Sequence, residues 1–213
     1  MPSPAPIVIL NGPPRCGKTS IADAMQETID RPWMNLGVDV YARHITPPPW
    51  QPGIGLRPGE DRPVLQELIP TFYAALYESM AAHSRLGLAV VADLGHHVAT
   101  PEGMVILKDC ARRLEGLPVL FVGVNAPIDI IMERRRASAA QNGPYVAAPE
   151  GEPPPPPVVR WQEATAAPGI YDFEVDTSVV SPGAAVETIL EWLADPPEGP
   201  TAFERLAPAA DDP

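Results

Sequence analysis

Eight residues constrain this chain more than any others: Gly12-Pro13-Pro14-Arg15-Cys16-Gly17-Lys18-Thr19, directly after the apolar run Ile7-Val8-Ile9-Leu10. They spell G-x-x-x-x-G-K-[ST] between a strand-like run and a helix-like one, where such a loop turns backbone N–H groups and a helix N-terminus toward an anion. Lys18 is placed to reach the β- and γ-phosphates of a nucleoside triphosphate, and the Thr19 hydroxyl to ligate Mg²⁺. Pro13 and Pro14 carry no N–H, so the donors come from Arg15 onward. Gly12, Arg15, Cys16, Gly17, Lys18, Thr19 and Ser20 are therefore the candidates for nucleotide contact. The next helix carries Ile21, Ala24, Met25, Thr28 and Ile29 on one face, and Asp30-Arg31-Pro32 supplies its stop.

Such a loop belongs in an α/β sheet, and the rest of the chain agrees. Ile7–Leu10, Met34–Val38, Leu88–Ala92, Pro118–Val124 and Tyr171–Val175 read as five buried parallel strands. Helical patterns fall between them, over Arg62–Arg85, Pro101–Leu114, Pro127–Ala139 and Ala184–Leu193, with Pro70 bending the first or splitting off its first turn. The expected fold is a three-layer α/β/α one, a five-stranded parallel sheet with helices on both faces. It occupies residues 1–194 as one domain. The 30 prolines interrupt this pattern. They make 45–61 and 141–157 irregular insertions, with 153–157 a stiff spacer or a docking segment, and leave 195–213 as an unstructured Pro/acidic tail. Trp50 and Ile54 either line the acceptor pocket or sit on a surface loop.

The net charge of −12 disfavours nucleic acid or an anionic membrane as partner, while a local cluster of cations can still hold a small nucleotide. No run approaches the ~20 apolar residues of a membrane span, and no signal-peptide pattern opens the chain. Cys16 and Cys110 fit reduced thiols of a cytoplasmic protein. Cys16 is either acidified by Lys18 and the helix N-terminus or simply small enough for the loop. A homo-oligomer is left open.

The remaining chemistry sits at strand ends. Asp39, 21 residues after Lys18, closes the second strand and is placed either to orient an attacking hydroxyl or to cap the following helix. Asp93 closes the third strand, where an acid helps hold Mg²⁺ or serves structure. His96 and His97 read as loop residues near the substrate. Arg134, Arg135 and Arg136 lie about 100° apart on a helix, so one or two can clamp a triphosphate while the rest face solvent. The Asn-Lys-x-Asp signature of base-reading GTPases is missing, since Asn125-Ala126-Pro127-Ile128 follows strand four.

With these residues placed, the chain resembles the chloramphenicol phosphotransferase-like family of small P-loop kinases over residues 6–194. The likeness rests on Ile9–Gly12, Gly17–Thr19, Pro32-Trp33 with Gly37–Asp39, the strand ending in Asp93, Val122–Val124 with the Arg134 cluster, and Tyr171–Thr177. The resemblance implies ATP- and Mg²⁺-dependent phosphorylation of a hydroxyl on a small molecule, such as the antibiotic chloramphenicol. It implies a P-loop kinase-type α/β/α fold with a helical lid, Asp39 as general base, Arg134 and Arg136 as lid arginines closing over the phosphates, and Thr177 before the loop near the adenine. A nucleoside or sugar-nucleotide kinase, or a non-catalytic NTP-binding regulator, are the alternative readings.

Overall fold

The computed structural model describes residues 3–28, 30–51, 65, 67–97, 101–139, 148–165 and 170–207. Five strands, β1 (Ile7–Asn11), β2 (Trp33–Asn35), β3 (Ala89–Leu94), β4 (Val119–Asn125) and β5 (Phe173–Asp176), form one sheet in the order β2-β3-β1-β4-β5. All pairings are parallel, so the carboxyl ends of the strands meet along one edge. Side chains alternate across a strand, and β1 shows the consequence. Ile7 and Ile9 face a core shared with Tyr77, Met80, Leu107 and Phe121, while Val8 and Leu10 face another with Ile21, Met25, Ile131 and Ile189. Helices α3 (Ile69–Arg85) and α4 (Pro101–Arg113) cover the first face. Helices α1 (Lys18–Gln26), α5 (Ile128–Ala139) and α7 (Pro182–Ala194) cover the second. This is the expected three-layer arrangement, and β1, fully buried on both faces, is its centre.

Pro70 falls in the first turn of α3, where its missing N–H costs nothing, and Leu65, ahead of that helix, is helical as well. Residues 62–64, 98–100 and 166–169, most of the 45–61 insertion with Ile54, and 141–147 lie outside the described residues.

Three expectations are corrected. The second strand ends at Asn35, because Gly37 begins a short helix α2 (Val38–Val40) that continues as a π-helical turn, Tyr41–Ile45, closed by the Thr46 N–H on the Tyr41 carbonyl at 3.0 Å. Asp39 thus sits in the first turn of a helix. The second correction lies at the end of the 141–157 insertion. Pro156 and Pro157 form the first turn of α6 (Pro156–Thr165), which buries Val158 and Thr165, so the proline run enters a helix.

The third lies at the C-terminus, where 195–207 is not an unstructured tail. Thr201 and Glu204 make a capping box for α8 (Ala202–Leu206), and the Ala202 N–H donates to Asp172 Oδ1 at 2.7 Å. Phe203 is buried edge-on against Phe121, with ring centroids 5.2 Å apart. Asp172 also accepts the Phe121 N–H at 2.8 Å, tying the last helix to β4. No helix among the described residues is long and apolar enough to cross a membrane.

Truncating a buried phenylalanine costs about 3–5 kcal/mol. Phe203→Ala should lower the unfolding free energy by about 3 kcal/mol in urea titrations; a loss below about 0.5 kcal/mol would mean α8 does not share the core.

Candidate active site

The loop between β1 and α1 is shaped by what its residues exclude. A side chain on Gly12 would place Cβ 1.9 Å from the Val124 carbonyl oxygen, so only glycine lets the loop leave β1 this close to β4. Gly17, at φ +106°, is the N-cap of α1 and packs against Thr177. Arg15 holds φ +71° without being glycine, a conformation the surrounding hydrogen bonds must enforce. No side chain caps α1, and first-turn N–H groups have no acceptor within a helix. Gly17, Lys18, Thr19 and Ser20 all line a cleft of ≈ 760 Å³ at the carboxyl edge of the sheet. Lys18 Nζ arches over the loop and donates to the carbonyls of Gly12 at 2.9 Å and Pro13 at 3.0 Å.

Opposite the loop stand two carboxylates. Asp93, buried at the end of β3, accepts the Thr19 hydroxyl at 2.7 Å. Its other oxygen abuts Gly37, where a Cβ would lie 1.9 Å away. Strand β3, the phosphate loop and the start of α2 therefore meet at one carboxylate. Asp39 lines the cleft from α2, one helical turn from Arg43, which it meets at 3.8 Å across a half-exposed pair worth little by itself. Among the described residues no three His, Cys, Asp or Glu side chains converge on a metal position. Thr19 and Asp93 together form the hydroxyl-and-carboxylate oxygen set that suits Mg²⁺, an ion that takes few protein ligands.

The far wall is built by α5, α6 and the end of β5. Arg134, Ala137 and Ser138 face the cleft at i, i+3 and i+4. Arg135 is turned into the protein at 5% exposure, and Arg136 does not line the cleft. Of the predicted clamp only Arg134 reaches the site, as the 100° step between residues requires. Arg134 Nη1 donates to Thr177 Oγ1 at 2.9 Å and Nη2 to the Thr177 carbonyl at 2.8 Å. Arg15 donates to the Ser138 hydroxyl from the loop side.

Two further residues lie behind the cleft wall. Cys16 is fully buried, gives its N–H to the Pro13 carbonyl at 3.3 Å, and does not line the cleft. Burial raises its thiol against the opposing pull of Lys18, so it is a small packing residue and not an acidified thiol. His96 is buried and does not itself line the cleft, its ring packing behind that of Tyr73, which does, at 5.8 Å between centroids. Its N–H donates to Asn11 Oδ1 at 2.5 Å, Asn11 Nδ2 donates to the His96 carbonyl and to the Tyr171 hydroxyl, and Tyr171 donates to the Thr165 carbonyl at 2.6 Å. Burial pushes the His96 imidazole down to about 3 and the Tyr171 phenol up to about 12. His97 packs at a tilt against Trp161, with ring centroids 3.8 Å apart, and Trp161 does line the cleft. Trp50 is half exposed and not a cleft residue.

Sequence reasoning missed Arg43, Tyr73, Ser138 and Trp161, all of them in the cleft wall. Val158, Trp161 and Thr165, spaced i, i+3 and i+7 after prolines suited to a helix start, were a readable signal for α6. Arg43 had its i, i+4 spacing from Asp39.

Residues 5–194 match the family described as chloramphenicol phosphotransferase-like protein, and the chain belongs to it. No curated protein matches the chain. Among solved structures, the unliganded sugar kinase from Janibacter sp. HTCC2649 is 20% identical with a TM-score of 0.53, over 98% of this chain and 100% of that one. The Mycobacterium tuberculosis APS kinase in complex with AMPPNP and APS is 13% identical with a TM-score of 0.59, over 91% and 100%. The Deinococcus radiodurans tunicamycin resistance protein is 17% identical with a TM-score of 0.57, over 89% and 95%. At these identities they establish a shared P-loop kinase fold.

His96 makes stability depend on pH. Its folded value lies near 3, so it stays neutral in the native state while an unfolded histidine takes a proton below about 6.5. The contribution is complete above about pH 6.5 and is lost as pH falls toward 3, at about 1.4 kcal/mol per pH unit. Urea unfolding at pH 7, 6 and 5 should show this slope in the wild type and a shallower one in His96→Gln; parallel slopes would contradict the buried neutral imidazole.

Proposed function

From membership of the chloramphenicol phosphotransferase-like family and the geometry of the cleft, we propose that this protein is an ATP-dependent kinase that phosphorylates a hydroxyl on a small molecule. One observation carries the reading. Lys18, the Thr19–Asp93 pair and Asp39 come from three separate segments, and all line one cleft at the carboxyl edge of a parallel sheet. That edge is where open α/β sheets take their ligands.

Phosphoryl transfer asks the protein mainly for positioning and for charge opposite the moving phosphoryl group. Lys18, Arg15, Arg43 and Arg134 put four cations on the cleft wall of a chain whose net charge is −12. Gly17, Lys18, Thr19 and Ser20 hold the triphosphate at the N-terminus of α1, and Thr177 lies at the edge of the same cleft. Thr19 and Asp93 would hold Mg²⁺, which would supply positive charge to neutralise the triphosphate. Asp39, part-exposed at the mouth, accepts or orients the proton of the acceptor hydroxyl. Tyr73 and Trp161 offer aromatic surface beside it. The family name does not choose the acceptor. Chloramphenicol, nucleosides, sugars, APS and an uncharged alcohol belong in one panel.

Mass spectrometry after incubation with Mg-ATP and that panel tests the reading. A product heavier by one phosphoryl group should fall at least about 100-fold in both Lys18→Ala and Asp39→Asn. Asp39→Asn should keep its affinity for Mg-ATP within about threefold. Undiminished transfer in Asp39→Asn would remove that residue from the chemistry. Tight ATP binding with no product from any acceptor, including a metabolite extract, would favour a regulatory nucleotide-binding protein.

A further inference from the structure

We propose that Thr177 and Arg134 are positioning residues that lock the phosphate loop in its binding shape, a role that rests on the nucleotide-binding reading of the same cleft. Thr177 stands just past β5, where its N–H continues the ladder by donating to the Asn125 carbonyl at 3.0 Å. Its hydroxyl has one proton to give, and the Cys16 carbonyl at 2.5 Å takes it in preference to the Asn125 carbonyl at 3.3 Å. The lone pair left over accepts Arg134 Nη1 at 2.9 Å. Arg134 Nη2 grips the Thr177 carbonyl at 2.8 Å, and Nη1 also reaches the Arg15 carbonyl at 3.3 Å.

Two successive loop carbonyls, Arg15 and Cys16, are thereby held by one threonine and one arginine. Carbonyl and N–H lie antiparallel across a planar trans peptide. Fixing the Arg15 carbonyl aims the Cys16 N–H, which is spent on Pro13. Fixing the Cys16 carbonyl aims the Gly17 N–H the opposite way from Thr177. These are the two peptides that join Arg15 to Gly17 through Cys16, and Arg15 and Gly17 are the two residues of the loop at positive φ. The Thr177 methyl completes the lock, since a Cβ on Gly17 would lie 3.1 Å from it. Helix α5 and the end of β5 thus hold a left-handed loop that Arg15 would not hold alone. With both Nη atoms committed, Arg134 acts on phosphate through the loop.

Calorimetry with Mg-ATP and with magnesium tripolyphosphate separates this from a nucleobase contact. A lock on the loop serves any triphosphate, so Thr177→Val should weaken both ligands by about tenfold and by equal factors. Thr177→Ser, which keeps the hydroxyl, should restore both to within about threefold. Arg134→Lys, which cannot span the hydroxyl and the carbonyl together, should repeat the Thr177→Val pattern even if the valine variant folds poorly. Weakening confined to Mg-ATP would overturn the proposal in favour of an adenine contact, and unchanged affinity for both ligands would overturn it outright. A wild type that binds neither ligand would instead defeat the nucleotide reading itself.

Discussion

The hydrogen bond from Thr19 to Asp93 holds the site together, because it joins the start of α1 to the end of β3 at the cleft itself. Asp93 is nearly buried, and a buried carboxylate left without a partner costs several kcal/mol. Thr19 supplies one partner at 2.7 Å, and Gly37 closes against the other oxygen with no room for a side chain. The start of α1, the end of β3 and the turn into α2 are therefore placed by a single group. Asp39 follows two residues after Gly37, so the carboxylate that places the loop also places the residue that would face an acceptor.

The parallel sheet makes this meeting possible. Register pairs Leu10 with Asp93 and Asn11 with Leu94, which brings the exit of β1 level with the acid on β3. On the other side Asn11 pairs with Gly123, and Gly12 presses against Val124, so the loop must rise from the sheet immediately. Beneath it, Asn11 uses its amide on His96 and Tyr171 and so ties the floor of the cleft to the base of α6. Above it, Arg134 and Thr177 fasten the loop from the flank. A phosphate site needs donors that are already aimed, and each of these contacts aims some part of the loop.

How much of this was legible follows from the range of the interactions. The loop motif is local, so Gly12, Gly17, Lys18 and Thr19 could be read directly, and the five apolar runs placed the strands within a few residues. Asp39 was read onto a strand end because it follows the run Met34–Val38; the strand instead stops at Asn35, Gly37 closes against Asp93, and a helix begins at Val38. The prolines at 153–157 hid α6, since their composition argues for extended chain while their position suits a helix start. Arg43, Tyr73 and Trp161 reach the cleft from segments far apart, and no spacing rule brings them together. Phe203 and α8 were obscured by the Pro/acidic composition around them, though the Thr201–Glu204 capping box stood in the sequence. The choice of Arg134 over Arg136 needed only the phase of α5, which sequence alone leaves open.

The measurement that bears most directly on the account is calorimetric titration of Mg-ATP, and of ATP with chelator, into the wild type and Thr19→Val. If Thr19 and Asp93 form a site for a magnesium-bound triphosphate, the wild type binds one equivalent and loses affinity when the metal is removed. Thr19→Val then binds at least about tenfold more weakly and loses most of that dependence on metal. Equal affinity and equal metal dependence in the two proteins would contradict it, and would move the nucleotide away from the phosphate loop.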